Sequence, residues 1–238
     1  MTEEVKKLKE LVDATNNIVF FGGAGVSTES GIPDFRSTDG LYHQQWNYPP
    51  EVILSHTFYE SNPGEFFRFY RAKMLAPDAK PNAAHLKLAE WEAQGKLRGI
   101  VTQNIDNLHQ MAGSKRVYEL HGSVHRNYCQ RCGKFHSFDF MLHSDGIPKC
   151  SCGGTVKPDV VLYEEGLDQT TIEGAVRAIS EADVLIIGGT SLNVYPAAGL
   201  INYYRGNKLV LINKSAVARD LTAPLVIQDP IGEVLSQL

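Results

Sequence analysis

Short apolar runs alternate with helical periodicity along most of the chain. The apolar runs cover residues 18–21, 99–101, 184–187 and 209–212, and each is followed by small or polar residues, at 22–23, 102–104, 188–191 and 213. Apolar residues recur at helical spacing at about 5–12, 82–94, 170–182 and 196–205. Continuous apolar strands are typical of a parallel sheet with helices on both faces. The pattern therefore predicts an α/β fold with a Rossmann-like sheet, and ligands of such folds bind at the carboxyl ends of the strands.

Two stretches depart from this alternation. Residues 38–80 are rich in aromatic residues, with a helical run at 66–75, and residues 124–157 contain all four cysteines with little periodicity. We predict that both stretches form a smaller module beside the sheet. The main α/β domain would then consist of residues 1–37, 81–123 and 158–238.

Composition narrows the possible partners. The chain has 238 residues, of which 43% are hydrophobic, so it is long enough to bury a sizeable core. Its formal net charge of -4 gives no sign of nucleic-acid or membrane binding. The charged N-terminus does not resemble a signal peptide, and no apolar run approaches the roughly 20 residues that span a bilayer. We expect a cytoplasmic protein without nucleic-acid or membrane partners, and the short termini lead us to expect a monomer.

The four cysteines form two closely spaced pairs. Cys129 and Cys132 are separated by two residues, and Cys150 and Cys152 by one. In a reducing compartment such a cluster indicates a metal site rather than disulfides, and four thiolates complete the tetrahedral sphere of zinc. We therefore predict one structural zinc ion, with no open position for catalysis. The alternative is a set of free or redox-active thiols.

A glycine-rich segment, Gly22-Gly23-Ala24-Gly25-Val26-Ser27, follows the first predicted strand. Glycines let backbone N–H groups approach a phosphate closely, although a tight turn without a ligand would have the same composition. Thr28 stands where the third glycine of the dehydrogenase pattern would fall. No clear acidic residue ends a second strand about 20 residues further on, as ribose recognition would require. The segment is compatible with a nucleotide but does not favour hydride transfer.

Several motifs in one order resemble the sirtuin signature. They are Gly23-Ala24-Gly25-Val26-Ser27, Ser30-Gly31-Ile32-Pro33-Asp34-Phe35-Arg36-Ser37, Thr102-Gln103-Asn104-Ile105-Asp106, His121-Gly122, Gly189-Thr190-Ser191 and Asn213. The resemblance extends from about residue 18 to about residue 235 and is strongest to compact bacterial members. It implies NAD-dependent removal of acetyl groups from lysine-containing proteins. The products would be nicotinamide, deacetylated lysine and O-acetyl-ADP-ribose.

The resemblance also implies roles for individual residues. His121 would be the general base that activates a ribose hydroxyl, and histidine titrates near the required pH. A structural histidine is the alternative. Asn104 would order the ribose and a water, while Gln103 and Ile105 would line the same pocket. Asp106 would accept a hydrogen bond from the nicotinamide amide, and it could also cap the helix that follows it.

Further cofactor contacts follow from the same resemblance. Phe35 would cover the reacting sugar and Arg36 would contact the cofactor, with core packing and a surface ion pair as their respective alternatives. The remaining predicted contacts are to phosphate, ribose or adenine and involve Ala24, Thr28, Thr190, Ser191, Asn213 and Asp229.

The peptide substrate is expected to pair as a β-strand beside Val160 on one side and Asn193-Val194 on the other. The family usually has Phe-Gly-Glu after the paired valines, whereas this chain has Tyr163-Glu164-Glu165. The lost glycine could restrict the approach of the peptide, or the added charge could favour basic flanking residues.

The acyl preference and two other functions stay open. Members that prefer acidic acyl groups have Tyr-x-x-Arg in the helical insertion, and the nearest match here is Tyr70-x-x-Lys73. Lysine lacks the bidentate fork of arginine, so we expect acetyl to be preferred, with other neutral acyl groups next. The same cofactor chemistry would also serve mono-ADP-ribosyl transfer. A non-catalytic NAD- and zinc-binding module is disfavoured by the presence of His121, Asn104 and Asp106 together.

Overall fold

A parallel β-sheet forms the centre of the larger domain. The computed structural model describes residues 1–34, 46–215 and 223–238. Within these ranges the sheet has six strands in the order β3-β2-β1-β7-β8-β9, and all pairings are parallel. Its strands are β1 (Ile18–Gly22), β2 (Leu97–Thr102), β3 (Val117–Glu119), β7 (Val184–Gly188), β8 (Lys208–Ile212) and β9 (Leu225–Ile227). The four predicted strands are its four central strands, which confirms the α/β fold.

Helices cover both faces of this sheet. On β1, Ile18 and Phe20 belong to one apolar cluster, while Val19 and Phe21 belong to another. The alternation follows from the two-residue period of a strand and explains why the run is apolar at every position. The helices on the first face are α1 (Glu3–Asp13), α5 (Ala83–Ala93) and α9 (Ile231–Leu235), and those on the second are α8 (Gln169–Glu181) and the 3-10 helix Ala197–Tyr203.

Side-chain caps fix where these helices begin. Thr2 accepts a hydrogen bond from the backbone N–H of Val5 at the start of α1. Asp168 accepts one from the N–H of Thr171 at the start of α8, with an N···O distance of 2.8 Å. Such caps contribute about 1 kcal/mol each. The predicted helices at 82–94 and 170–182 are confirmed to within a residue, whereas the pattern at 196–205 corresponds to a 3-10 helix.

The smaller module combines helices with an antiparallel sheet. Its sheet, within the described ranges, has the strands β4 (Gly122–Cys129), β5 (Phe135–His136) and β6 (Val156–Val160). Its helices are α2 (Pro50–Ile53), α3 (His56–Ser61), α4 (Pro63–Lys73) and α7 (Phe138–His143), and the remaining short helix, α6 (Leu108–Met111), follows β2. An aromatic core around Phe66, Phe67 and Tyr70 joins the helices to the sheet.

The division into two domains stays a prediction. The boundaries at 123 and 158 fall inside β4 and β6, so both strands continue from the smaller module towards the larger domain. No helix in the described ranges is long and apolar enough to cross a membrane.

Candidate active site

A large cleft lies over the carboxyl ends of the central strands. Its volume is about 1260 Å³. Gly23 follows β1, Gln103 follows β2, Gly189 follows β7 and Asn213 follows β8, and all four residues line it. This is the position at which ligands bind in folds of this kind. The far wall belongs to the smaller module, so the cleft separates the two parts of the structure.

The glycine turns after β1 and β7 are packed directly against each other. The N–H of Gly25 donates a hydrogen bond to the carbonyl oxygen of Gly189 over 2.8 Å. A Cβ on Gly25 would lie 2.8 Å from the Cα of Gly189, and a Cβ on Gly23 would lie 2.8 Å from the Cβ of Thr190. Both distances are too short for real side chains. The glycines are therefore needed to bring two strand ends together, independently of any phosphate.

A hydrogen-bonded chain of three polar side chains lies at one end of the cleft. Ser27 Oγ donates to Asp106 Oδ2 over 2.6 Å, and Asn104 Nδ2 donates to Ser27 Oγ over 3.0 Å. Asp106 Oδ1 accepts from the N–H of Leu108 at 2.9 Å, which satisfies the start of α6. Asp106 thus accepts from the first N–H of α6, but the cap residue of this helix is Asn107 rather than the predicted Asp106. Ser27 is almost fully buried and was absent from the predicted site, although it belongs to the glycine-rich motif.

Gln103 connects the ends of β2 and β7. Its Nε2 donates to Thr190 Oγ1 over 3.0 Å. The same oxygen accepts from the N–H of Leu192, which has a left-handed backbone conformation with φ +56°. The side chains of Gln103 and Thr190 are therefore held in fixed orientations at the base of the cleft.

His121 lines the cleft with one ring nitrogen already bonded. Its Nδ1 lies 3.0 Å from the carbonyl oxygen of Gln103, which can only accept, so Nδ1 carries the hydrogen. The unprotonated nitrogen is then Nε2. Burial lowers the pKa of His121, and the hydrogen bond to Gln103 opposes this effect only in part. The imidazole is consequently neutral near pH 7 and has a lone pair that can accept a proton.

The residue after His121 must be glycine. Gly122 has φ +75°, and a Cβ there would overlap the carbonyl oxygen of Asp159. The carbonyl oxygen of His121 in turn accepts a hydrogen bond from the N–H of Val161 over 3.0 Å. The turn between β3 and β4 is thus fixed against β6, and this fixes the backbone that carries the imidazole.

The structure brings most of the predicted site residues to this one cleft. Besides those already described, its lining includes Ala24, Thr28, Ile105, Val160, Ser191 and Val194. Asn193 does not line it, and Asp229 lines a separate shallow pocket together with Thr2 and Glu4. Phe35 and Arg36 lie outside the described residues.

The part of the cleft towards the smaller module contains Lys73, which the sequence analysis singled out, and several residues without a predicted role. His125 lines it, and its ring stacks on Phe138 with centroids 4.7 Å apart. Lys73 and Met74, at the end of α4, line it as well, together with Leu54. The sequence motifs gave no signal for His125 because nothing around it in the chain matches a functional pattern.

The four cysteine sulfurs converge at the far end of β4. The Sγ–Sγ distances are 3.4 Å for Cys129 and Cys152, 3.5 Å for Cys132 and Cys152, and 3.8 Å for Cys132 and Cys150. Thiolates bound to tetrahedral zinc at about 2.3 Å lie about 3.8 Å apart. A Cβ on Gly154 would lie 2.6 Å from the sulfur of Cys129, so the knuckle leaves room for the cluster only because glycine is there. The site is consistent with structural zinc.

The cysteine cluster is remote from the candidate base. Cys129 ends β4 and Gly122, next to His121, begins it. The seven steps between these residues span at most about 23 Å at about 3.3 Å per step, and somewhat less across the irregularity between Ser123 and Asn127. Zinc at the cysteines would therefore support the module and take no part in chemistry at His121.

Comparison with known protein sequences finds the same family over most of the chain. The model of the Sir2 family matches residues 23–196. An NAD-dependent protein deacetylase of Clostridium acetobutylicum is 64% identical over 239 residues, covering 99% of this chain and 98% of that protein. One of Clostridium perfringens is 63% identical over 242 residues, covering 100% and 99%.

Solved structures are similar over the whole chain. A Sir2 structure described in terms of mechanism and regulation has a TM-score of 0.89 and 38% identity, covering 100% of this chain and 96% of that one. A structure of Sir2 with a p53 peptide and NAD+ has a TM-score of 0.86 and 38% identity, covering 100% and 97%.

Proposed function

The chain belongs to the Sir2 family and is an NAD-dependent protein deacetylase, and from this premise we propose that His121 is its general base. The observation that carries this role is the hydrogen bond from Nδ1 to the carbonyl oxygen of Gln103, which leaves Nε2 free to accept a proton. NAD, when bound beside His121, would offer an electrophilic sugar carbon to the acyl oxygen of the substrate, with nicotinamide as the leaving group. His121 Nε2 then removes a proton from a ribose hydroxyl.

The carbonyl oxygen of Gln103 assists this proton transfer. Once protonated, His121 has positive charge close to that carbonyl dipole, which stabilises the imidazolium. The same bond holds the ring in one tautomer, because the carbonyl cannot donate. Gln103 therefore contributes through its backbone to the orientation of His121 and through its side chain to the position of Thr190.

We assign the chain formed by Asp106, Ser27 and Asn104 to the nicotinamide and its ribose. Each oxygen of an ionised carboxylate can accept more than one hydrogen bond. Asp106 can therefore hold Ser27 and the N–H of Leu108 and still accept from a carboxamide. Asn104 has its amide nitrogen on Ser27, so its side-chain oxygen is oriented for a ribose hydroxyl or a water.

The remaining nucleotide contacts are assigned to the other strand ends. Ala24 and Thr28 would lie against the nicotinamide ribose and phosphates, Thr190 and Ser191 against phosphate or ribose, and Asn213 against the adenosine ribose. All of these residues line the cleft. Phe35 and Arg36 keep the roles that the resemblance implies. Asp229 lies in the separate pocket, which gives its predicted approach to adenine no support.

We propose that acetylated lysine-containing proteins bind as a strand between Val160 and the segment 193–194. Solved Sir2 structures contain an acetylated peptide or a p53 peptide. In this chain Val160 and Val194 line the cleft, as strand addition there would require. Asn193 does not line the cleft, which gives its predicted contact with the peptide no support.

Acetyl is the proposed acyl group. Tyr70 is fully buried in the core of the smaller module and does not line the cleft, so only Lys73 of the pair Tyr70-x-x-Lys73 reaches the substrate side. A lone lysine offers a carboxylate one point charge without a planar fork. Acetylated peptides should therefore be deacylated faster than succinylated peptides at equal concentration. A preference for the succinylated peptide would overturn this assignment.

Product analysis separates deacetylation from ADP-ribosyl transfer. We expect nicotinamide to be released only when NAD and an acetylated peptide are both present, in equal amount to the deacetylated peptide. Nicotinamide release with unchanged acetylated peptide and a heavier, ADP-ribosylated protein would support transfer instead. No release under any condition would support the non-catalytic alternative.

A further inference from the structure

Glu164 occupies a backbone conformation that favours glycine. Its φ is +76°, in the left-handed region, where any residue other than glycine is strained. Its carboxylate is nevertheless firmly placed, because Oε2 accepts hydrogen bonds from the N–H of Thr57 over 2.8 Å and from Thr57 Oγ1 over 2.7 Å. These bonds hold the pKa of Glu164 below its usual value. The side chain thus connects the substrate side of the cleft to the start of α3.

The segment that contains Glu164, residues 160–165, is here called the peptide loop. Its backbone pairs with the chain just before α3. The N–H of Tyr163 donates to the carbonyl oxygen of Leu54 over 3.0 Å, and the N–H of His56 donates to the carbonyl oxygen of Tyr163 over 3.0 Å. Short backbone pairing of this kind is weak by itself, so the side chains on either side of it decide how firmly the loop is held.

The neighbouring glutamate holds the other side of the peptide loop. Glu165 Oε2 accepts from the N–H of Leu162 over 2.9 Å and lies 3.1 Å from Lys157 Nζ, while Oε1 lies 2.9 Å from His56 Nδ1. Glu165 therefore connects β6, the peptide loop and α3. Glu164 adds an independent attachment to Thr57, the next residue along α3.

We propose that Glu164 is a positioning residue that orders the peptide loop before the substrate binds and thereby lowers the KM for acetylated peptide. The inference rests on the proposed pairing of the peptide beside Val160. A loop that is already fixed loses less conformational entropy when a strand is added to it. The carboxylate that the sequence left as a possible charge towards the peptide is directed to Thr57, so its main effect is on the loop.

Replacing Glu164 with glycine tests this role. Glycine suits a φ of +76°, so the Glu164→Gly protein should fold. The change removes the attachment and also gives the backbone more freedom, and the Thr57→Val variant described below separates the two effects because it leaves the loop sequence unchanged. We expect its peptide KM to rise about three- to tenfold, as for the loss of an ordinary hydrogen bond at an exposed side chain, with kcat and the KM for NAD unchanged. Glu164→Gln keeps the length and an acceptor oxygen and should raise the peptide KM much less. An unchanged peptide KM in Glu164→Gly would overturn the proposal.

A second variant and a second readout keep the result specific. Thr57→Val removes one of the two donors, and its effect on the peptide KM should largely disappear in the Glu164→Gly background. In the substrate-free protein, Glu164→Gly should speed hydrogen exchange at the N–H of Tyr163. Equal exchange rates in both proteins would contradict the ordering of the loop. If the wild-type protein failed to deacetylate the peptide at all, the proposed function would be wrong, and the exchange measurement would still decide the role of Glu164.

Discussion

The Nδ1 hydrogen of His121 is donated to the backbone carbonyl of Gln103 across 3.0 Å. The residues are 18 positions apart in the chain and come from the ends of adjacent strands. The bond decides which nitrogen of the imidazole carries the hydrogen. It also connects the glutamine that contacts Thr190 to the histidine that we propose as the general base.

The pH dependence of the reaction should reflect the environment of His121. Burial lowers its pKa below the usual 6.5. The base form is then present at neutral pH and is lost as the pH falls through this lowered value. We expect kcat/KM to be flat around pH 7 and to fall with a midpoint below 6.5. A midpoint clearly above 6.5 in a pH profile would contradict the assignment.

A buried pair of histidines should make stability depend on pH. His85 and His109 pack with ring centroids 4.7 Å apart, and burial lowers their pKa values to about 4 and about 3. Below pH 6.5 the unfolded chain binds protons that the folded chain does not. The stability that depends on both rings staying neutral is therefore complete above pH 6.5 and is lost progressively as the pH falls towards about 3. Denaturant unfolding at several pH values measures this loss.

A histidine variant provides the control for that measurement. Within the described residues neither ring nitrogen of His109 has a hydrogen-bond partner, so His109→Phe removes a titrating group without breaking a bond seen there. It should flatten the decline of stability between pH 6.5 and 4. Replacing exposed His143 in the same way should leave the slope unchanged, and an unaltered slope in His109→Phe would argue against the account.

The contact between the two glycine turns should tolerate no side chain. In Gly25→Ala the new Cβ would meet the Cα of Gly189 at 2.8 Å, and backbone atoms cannot move aside cheaply. Overpacking of this kind costs about 1–3 kcal/mol, and we also expect a raised KM for NAD. Gly166→Ala is the matched control, since a Cβ there has no atom within 4 Å. Equal stability of the two variants in thermal unfolding would contradict the close approach.

Metal removal should affect the fold of the smaller module. Cys150 is buried and its thiolate completes the cluster of four, so Cys150→Ser should lower zinc content and melting temperature together. Activity should fall in parallel with the loss of folded module, because β4 extends from the cysteines to the turn that carries His121. Full stability in a metal-free protein would show that the cysteines do not hold a structural ion.

The sequence predicts the centre of the sheet well because strands buried on both faces are apolar at every position. The edge strand β3, Val117–Glu119, is half-buried and only three residues long, so it lacks that pattern. Ser27 contacts Asp106 across 79 positions, and Thr57 contacts Glu164 across 107. Such pairs depend on how the elements pack, which local periodicity does not encode. The sequence motifs indicate the type of chemistry, whereas the hydrogen bonds between residues of different motifs are seen only in the structure.

The central claim is that His121 supplies the base for NAD-dependent deacetylation. The most direct test measures nicotinamide and deacetylated peptide from NAD and an acetylated peptide, using wild-type, His121→Ala and His143→Ala proteins. His143 is the matched control because it is exposed and its Nδ1 also bonds a backbone carbonyl, that of Asp139. We predict that wild type and His143→Ala each release nicotinamide and deacetylated peptide in equal amounts. A folded, zinc-containing His121→Ala should turn over at a rate reduced by about a hundredfold or more. Wild-type turnover in His121→Ala would contradict the account.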